Sequence, residues 1–333
     1  MTESQRITVC LSIDTEEDNW QPTRNHVSAN NIRQLPKLHE FLTSFGARPT
    51  YFTAHSVVAE PWSAEIIASI HAGGSVEIGG HLHPWNTPPT DERFVPRNTM
   101  MRNLPPEVQR AKLSTLTGAI AAAVGNAPTS FRAGRWGLGL ETLPLLMELG
   151  YQVDSSVMPF MNWESMDDGA NFVGAPCDVY RLGGDDFRVP HPDGVLVEVP
   201  VSSGYSRRGF DFWHRVYERL HRQPLALLRL AGIASRTRLI RKIQLSPETD
   251  TPRDMLVLSE RLIELGVEHL HMYWHSPSMT PGLSPYGETQ RDVDQMYRRI
   301  GEYLEGLGRL VTVEFATVGE LAASSSPVGA EVD

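Results

Sequence analysis

The sequence predicts an α/β protein, a distorted (β/α) barrel of seven or eight strands carrying loop and helical insertions. Two observations point there. Short apolar runs alternate with stretches of helical spacing along most of the 333 residues, and parallel neighbours need crossover connections of that kind. The alternation repeats seven or eight times, which fits a closed barrel better than an open sheet.

In order, residues 6–13 read as a first strand, and residues 35–45 as a helix with Leu35, Leu38, Phe41, Leu42 and Phe45 on one face. PTYFTA at 49–54 is a second strand, 62–72 a helix, Gly73-Gly74 a break and 76–79 a third strand. The rhythm continues with a helix at 106–124, a strand at 129–132, a helix at 140–149 and a strand at 151–154. VLVEVPV at 195–201 alternates as an extended run. Residues 255–265 are helical, 268–274 a strand, 292–307 a helix and 310–315 the last extended run. Two stretches break the repeat. Residues 84–106 hold six prolines, and 158–192 form a long connection with little apolar periodicity; both read as loops over an end of the barrel, shaping a site or simply packing on the surface. The domain reading is one catalytic unit over 1–323, a basic helical insertion at about 205–245, and a small, polar, flexible tail at 324–333.

Forty acids against 30 Lys and Arg give a net charge of −10, which argues against a general nucleic-acid binder. With no apolar stretch near the ~20 residues of a membrane span and no secretory leader, a cytoplasmic location is expected. Cys10 and Cys177 are the only cysteines. They form no recognisable disulfide framework or metal knuckle.

LSIDTEEDNW at 11–20 places four acids at the end of the first strand. Clustered carboxylates repel one another unless water, a cation or Arg and His partners intervene. EIGGHLHPW supplies two such partners: His81 and His83 are one residue apart, so an extended backbone sends both imidazoles to one side. Such a pair can chelate a divalent metal with an acidic oxygen as third ligand, or it can be a hydrogen-bonded pair without metal. Strand ends complete the set. Asp14 follows strand one, His81 and His83 strand three, Arg132 ends strand four and His275 follows LHMYW, and a parallel barrel gathers such ends on one face. The chemistry implied is hydrolysis of an amide or ester. A divalent ion, Zn²⁺ or a comparable one, would acidify water, Asp14 take its proton, Arg132 hold Asp14 ionised and His275 protonate the leaving amine. Each of Arg132 and His275 also has a purely structural reading, as a salt bridge and as a rim histidine.

With SIDTEED, PTYFTA, EIGGHLHPW, SFRAGRWG, the DSS after Tyr151, VLVEVPV and WHSPSM in order from residue 7 to about 320, the chain resembles the polysaccharide deacetylases with a NodB-like homology domain, metal-dependent carbohydrate esterases. That resemblance implies removal of acetyl groups from N-acetylated sugars, with Asp14 as base, Arg132 supporting it, His81 as first metal histidine and His275 as acid. Two positions depart from the family. Thr15 stands where an acid usually follows the base, so Glu16 resembles a displaced metal ligand, with Glu17 as the alternate. Trp85 stands where the second histidine usually falls, four residues after the first, and His83 takes its part. These departures leave room for an altered or metal-free site. Trp20, Trp85, Trp136 and Trp163 near the proposed face can stack on a sugar or close the core. The alternatives are a related hydrolase of a cyclic amide or ureide, possible without metal, and a non-catalytic glycan-binding barrel.

Residues 205–242 carry ten Arg or Lys against Asp211 and Glu218, interleaved with Phe210, Phe212, Trp213 and Tyr217. An amphipathic insertion on the inner face of an anionic membrane, or one gripping a phosphate- or lipid-linked glycan, would account for both properties. A solvated face over a packed helix is the plainer account.

Overall fold

A computed structural model describes residues 5–221 and 240–325. Its main sheet has nine strands in the order β10-β1-β2-β3-β4-β5-β7-β6, with β11 also on β1. In chain order these are β1 (Arg6–Thr15), β2 (Thr50–Ala54), β3 (Glu77–Leu82), β4 (Ser130–Ala133), β5 (Val153–Asp154), β6 (Tyr180–Leu182), β7 (Leu196–Glu198), β10 (His269–His275) and β11 (Thr312–Phe315). Every pairing in this sheet is parallel except β6 with β7. The expected distorted barrel is therefore present, and seven parallel strands run from β10 to β7. Its remaining opening is bridged by irregular backbone. Ser202 N donates to His271 O, Leu245 N to Ser202 O and Tyr273 N to Leu245 O, so the chain beyond β7 reaches back to β10.

Crossover helices cover the outside. They are α1 (Leu35–Thr43), α2 (His55–Val58), α3 (Pro61–Ala72), α4 (Pro106–Val124), α5 (Thr142–Glu148), α6 (Phe210–His221), α7 (Pro252–Glu264), α8 (Gln290–Leu310) and α9 (Val318–Ser324). Capping boxes at Thr289/Asp292 and Thr317/Glu320 start the last two, satisfying backbone donors that a helix start leaves free. Helix α8 reaches Leu310, so the final strand starts later than the sequence suggests. Inside the barrel, the Phe52 ring is fully buried and the Arg132 guanidinium lies over it at 4.4 Å. Gly79 makes this possible: a Cβ there would stand 2.6 Å from the Phe52 ring.

The two irregular stretches are more ordered than the sequence indicates. Lys112 of α4, fully buried, donates to the carbonyls of Pro84 and Thr87 at 2.8 Å and Pro89 at 2.5 Å, pinning the proline-rich loop just beyond His83. The long connection contains β6, a strand the apolar pattern did not reveal because only three residues pair. Two further strands, β8 (Ser203–Tyr205) and β9 (Lys242–Gln244), form an antiparallel ribbon at the base of the basic insertion. Arg208 pairs with Glu264, Arg241 with Asp250 and Asp254, and Lys242 donates to Phe160 O, so part of the positive charge serves the fold itself. Arg222, Arg229, Arg236 and Arg238, and the tail from residue 326, lie outside the described residues. No helix among the described residues is long and apolar enough to cross a membrane.

Candidate active site

Register builds the site. β1 sets Asp14 beside His275 of β10, and β3 sets His81 beside Arg132 of β4, so the strand ends place these side chains on one rim.

Asp14 is buried between two cations. Its Oδ1 accepts a 2.7 Å bond from Arg132 Nη1, and its Oδ2 lies 3.7 Å from His275 Nε2. Arg132 is immobilised from behind, since Ser155 O and Ser155 Oγ accept from Nε and Nη2, both at 2.9 Å. Burial would raise the Asp14 pKa, but Arg132, with His81 and His275, outweighs it and holds the group below its ordinary value. On the other ring nitrogen, His275 Nδ1 faces Glu248 at 2.9 Å, and Glu248 also accepts from the His275 backbone N–H. Burial would lower the His275 pKa; Glu248, then Glu16 and Asp14, push it up to about 10.

Next to this pair stands a second cluster. The ligand atoms of Glu16, His81 and His83 lie within 4.8 Å of one another, all three residues buried. His81 Nε2 and His83 Nε2 are 3.0 Å apart, and Glu16 Oε2 lies 3.4 and 3.2 Å from them. His81 Nδ1 points at Arg132 O at 3.1 Å and His83 Nδ1 at Glu17 Oε1 at 2.9 Å. Both of those partners only accept, so each Nδ1 carries a proton, and in the neutral ring each Nε2 is a lone pair facing Glu16. With neutral rings three acceptors meet, and a proton on an Nε2 or a metal ion is what holds them together. Burial would lower the His83 pKa, yet Glu17 and Glu16 push it up to about 10. Two imidazoles and one carboxylate also match the nitrogen and oxygen donor set of zinc sites that keep an open position. The residues fit such an ion.

The four acids of the opening motif therefore separate into four places. Asp14 meets Arg132, Glu16 meets the histidines, and Glu17 binds His83. Asp18 is a loop organiser, accepting from Ser28, Asn30 and Asn31. Glu17, held as an alternate ligand from sequence, has both oxygens occupied, by His83 and the Trp85 indole on one side and Ser56 on the other.

The tryptophans divide as well. Trp85 is buried and stacks on His83 at 4.1 Å, so it buttresses the histidine instead of offering a face to a sugar. Trp20 is half-buried, its ring edge-on to His275 at 5.1 Å and to Tyr286 at 5.4 Å, and Trp136 meets Tyr273 edge-on at 5.1 Å; both flank the catalytic candidates. Trp163 packs against the apolar core, with no hydrogen bond or ring contact to those candidates among the described residues. Sequence reasoning missed Glu248, which sits in the turn SPETD, where no periodicity or spacing marks it.

SFRAGRWG shapes the rim. A Cβ on Gly134 would collide with the His83 ring and Leu82 O, and Arg135 and Trp136 follow with φ of 54° and 57°. Left-handed backbone at two successive non-glycine residues is strained, and such strain concentrates at functional sites.

No protein-family model and no curated protein matches the chain. Solved structures match it in fold. A provisionally assigned polysaccharide deacetylase from Mycobacterium smegmatis has a TM-score of 0.53 over 95% of this chain and 90% of its own, at 19% identity. The allantoinase PuuE gives 0.50 over 96% and 89%, at 11% identity. The 4-α-glucanotransferase from Thermococcus litoralis gives 0.52 over 98% of this chain and 41% of its own, at 10% identity. At such identities the shared property is the barrel, which hosts different reactions in differently named proteins; any chemistry must be argued from the site.

Proposed function

We propose that the protein is a metal-dependent hydrolase that removes the acetyl group from an N-acetylated sugar or glycan. The observation that carries this reading is the juxtaposition of a three-acceptor Glu16/His81/His83 cluster with an ionised Asp14 and a protonated His275 on one barrel rim. Glu16, His81 and His83 would hold a divalent cation, Zn²⁺ by its donor set, which supplies carbonyl polarisation and acidified water. Asp14, kept ionised by Arg132, accepts the proton of the attacking water as its oxygen bonds to the acetyl carbon. His275, oriented and kept charged by Glu248, gives its Nε2 proton to the sugar nitrogen as the carbon–nitrogen bond breaks, leaving acetate and the free amine. Trp20 and Trp136 flank the position where a sugar ring would lie.

A small or lipid-linked glycan intermediate at the cytoplasmic face is the substrate form we favour. The positive surplus between residues 205 and 242 supports it, with Arg215 and Arg219 exposed on α6. The test is acetate release from free, nucleotide-linked and lipid-linked N-acetylated sugars with Zn²⁺ supplied and withheld. Release that depends on metal supports the proposal. Opening of a cyclic amide or ureide with no acetate release would replace it with the related carbon–nitrogen hydrolase, and glycan binding without turnover would make the barrel a recognition module.

A further inference from the structure

The third ligand position is held by a residue in an unusual place, two residues after His81 and just past the end of β3, and such a strand end is a poor anchor for an imidazole. A helix turn would fix both χ angles by packing; here the ring must be fixed from outside. The polar contacts that fix it converge on one carboxylate. Glu17 is 1% exposed. Its Oε1 receives His83 Nδ1 at 2.9 Å and Trp85 Nε1 at 3.0 Å, while Oε2 receives Ser56 Oγ at 3.0 Å. Trp85 also covers the ring face, with 24° between planes, and Gly134 leaves space on another side that a Cβ would take from His83. Residues from the segment after β1, the start of α2 and the proline-rich loop thus bear on a single histidine, Ser56 acting through Glu17. His81 needs no such device, because a backbone carbonyl, Arg132 O, takes its Nδ1 proton.

We propose that Glu17 is a positioning residue, which fixes His83 as an Nε2 donor and is itself held by Trp85 and Ser56. The inference rests on the metal-dependent reading above and names the residue that makes the shortened His81/His83 spacing workable. Carboxylates behind metal-bound histidines fix tautomer and ring angle, and their loss typically weakens metal binding about 10–100-fold. Glu17 supplies no ligand atom to the ion, so its effect passes entirely through His83.

The experiment is Zn²⁺ affinity by competition with a chromophoric chelator, on wild type, Glu17→Gln, Trp85→Phe and His83→Ala, each checked for folding by far-UV circular dichroism. Glu17→Gln should weaken Zn²⁺ binding by about 10–100-fold, with Trp85→Phe weakening it less and His83→Ala more. Turnover lost by Glu17→Gln should return at saturating Zn²⁺, which a merely structural role would not produce. A second readout needs no metal: the hydrogen-bonded His83 Nδ1 proton should give a far-downfield NMR resonance that Glu17→Gln shifts upfield. Equal Zn²⁺ affinity of folded Glu17→Gln and wild type would overturn the role of Glu17 while leaving the metal reading intact. No Zn²⁺ binding by wild type would overturn the metal reading, and this inference with it.

Discussion

Two groups of buried acids stand in the same barrel, and their pKa values are shifted in opposite directions. At the end of β1, Asp14, Glu16, Glu17 and Asp18 are all held below their ordinary pKa values. On β5 and β7, Asp154 and Glu198 face each other in register, both fully buried, and both are raised. Burial acts in the same direction on every member of the two groups. The difference is what surrounds them. Each acid of the first group has Arg, His or several donors on it. In the second, Ser156 donates to Asp154 and the Val157 N–H to Glu198 Oε1, and the two carboxyls lie against each other, so that Asp154 raises Glu198 further. Charge in this interior is therefore set by donors near each carboxylate, and the rim where donors are plentiful is where the chemistry is proposed.

The largest expected effect breaks the first group at its centre. Asp14→Asn keeps the size and the Arg132 contact but cannot accept a proton, so kcat should fall by about 10²–10⁴-fold, the range for a general base, with Zn²⁺ affinity retained. Retained turnover with retained metal would remove Asp14 from the role of base.

Arg132→Met should convert Asp14 into a group like Asp154. With its buried partner gone, the carboxylate should cost about 3–5 kcal/mol of stability at neutral pH, recovered in part as pH falls and Asp14 takes up a proton. Denaturant titrations at two pH values measure this; a loss equal at both would mean that Arg132 acts only through packing.

A smaller effect is expected at Glu248→Gln. His275 must be protonated to act as acid, so wild-type activity should decline only as pH rises through about 10. Without the Glu248 charge, that alkaline limb should move toward the ordinary histidine value of 6.5. The same raised pKa means that the His275 pair adds stability fully present below 6.5 and lost as pH climbs through about 10. A pH profile of kcat/KM decides it, and an unmoved limb would assign the limb to another group.

The smallest effect sharpens the contrast. Glu198→Gln exchanges a carboxyl whose pKa burial and Asp154 raise for an amide of the same shape, and unfolding should change by no more than about 1 kcal/mol, with turnover near wild type. A large loss would show that Glu198 is ionised after all.

Much of this was legible in the sequence because it depends on spacing along one strand or on the order of strands. The His81/His83 pair follows from a two-residue period, and the convergence of Asp14, Arg132 and His275 from the parallel barrel. What could not be read depends on which way a side chain turns once three elements meet. Glu16 and Glu17 are chemically alike and adjacent, and only the position of His83 decides that one faces the cluster and the other stands behind it. Trp85 was open to a sugar-contact reading because nothing local says that its indole will be covered. Glu248 lies 27 residues from His275 in an unpatterned turn. Strand β6 pairs over only three residues, too few to show an alternation.

Strand β1 pairs with β2 over Ser12–Thr15, with β10 over Thr8–Asp14 and with β11 over Arg6–Val9. During synthesis this first strand emerges long before two of its three neighbours, which begin at residues 269 and 312. Ser12 and Ile13 of its apolar run VCLSI can pair early with β2, but the bonds to β10 and β11 must wait until those strands have left the ribosome. Long-range pairing of this kind slows folding and exposes sticky strand edges in the meantime. The candidate rim is thus among the last parts of the protein to be completed, and an interrupted translation product would display an unpaired strand edge where that rim should close.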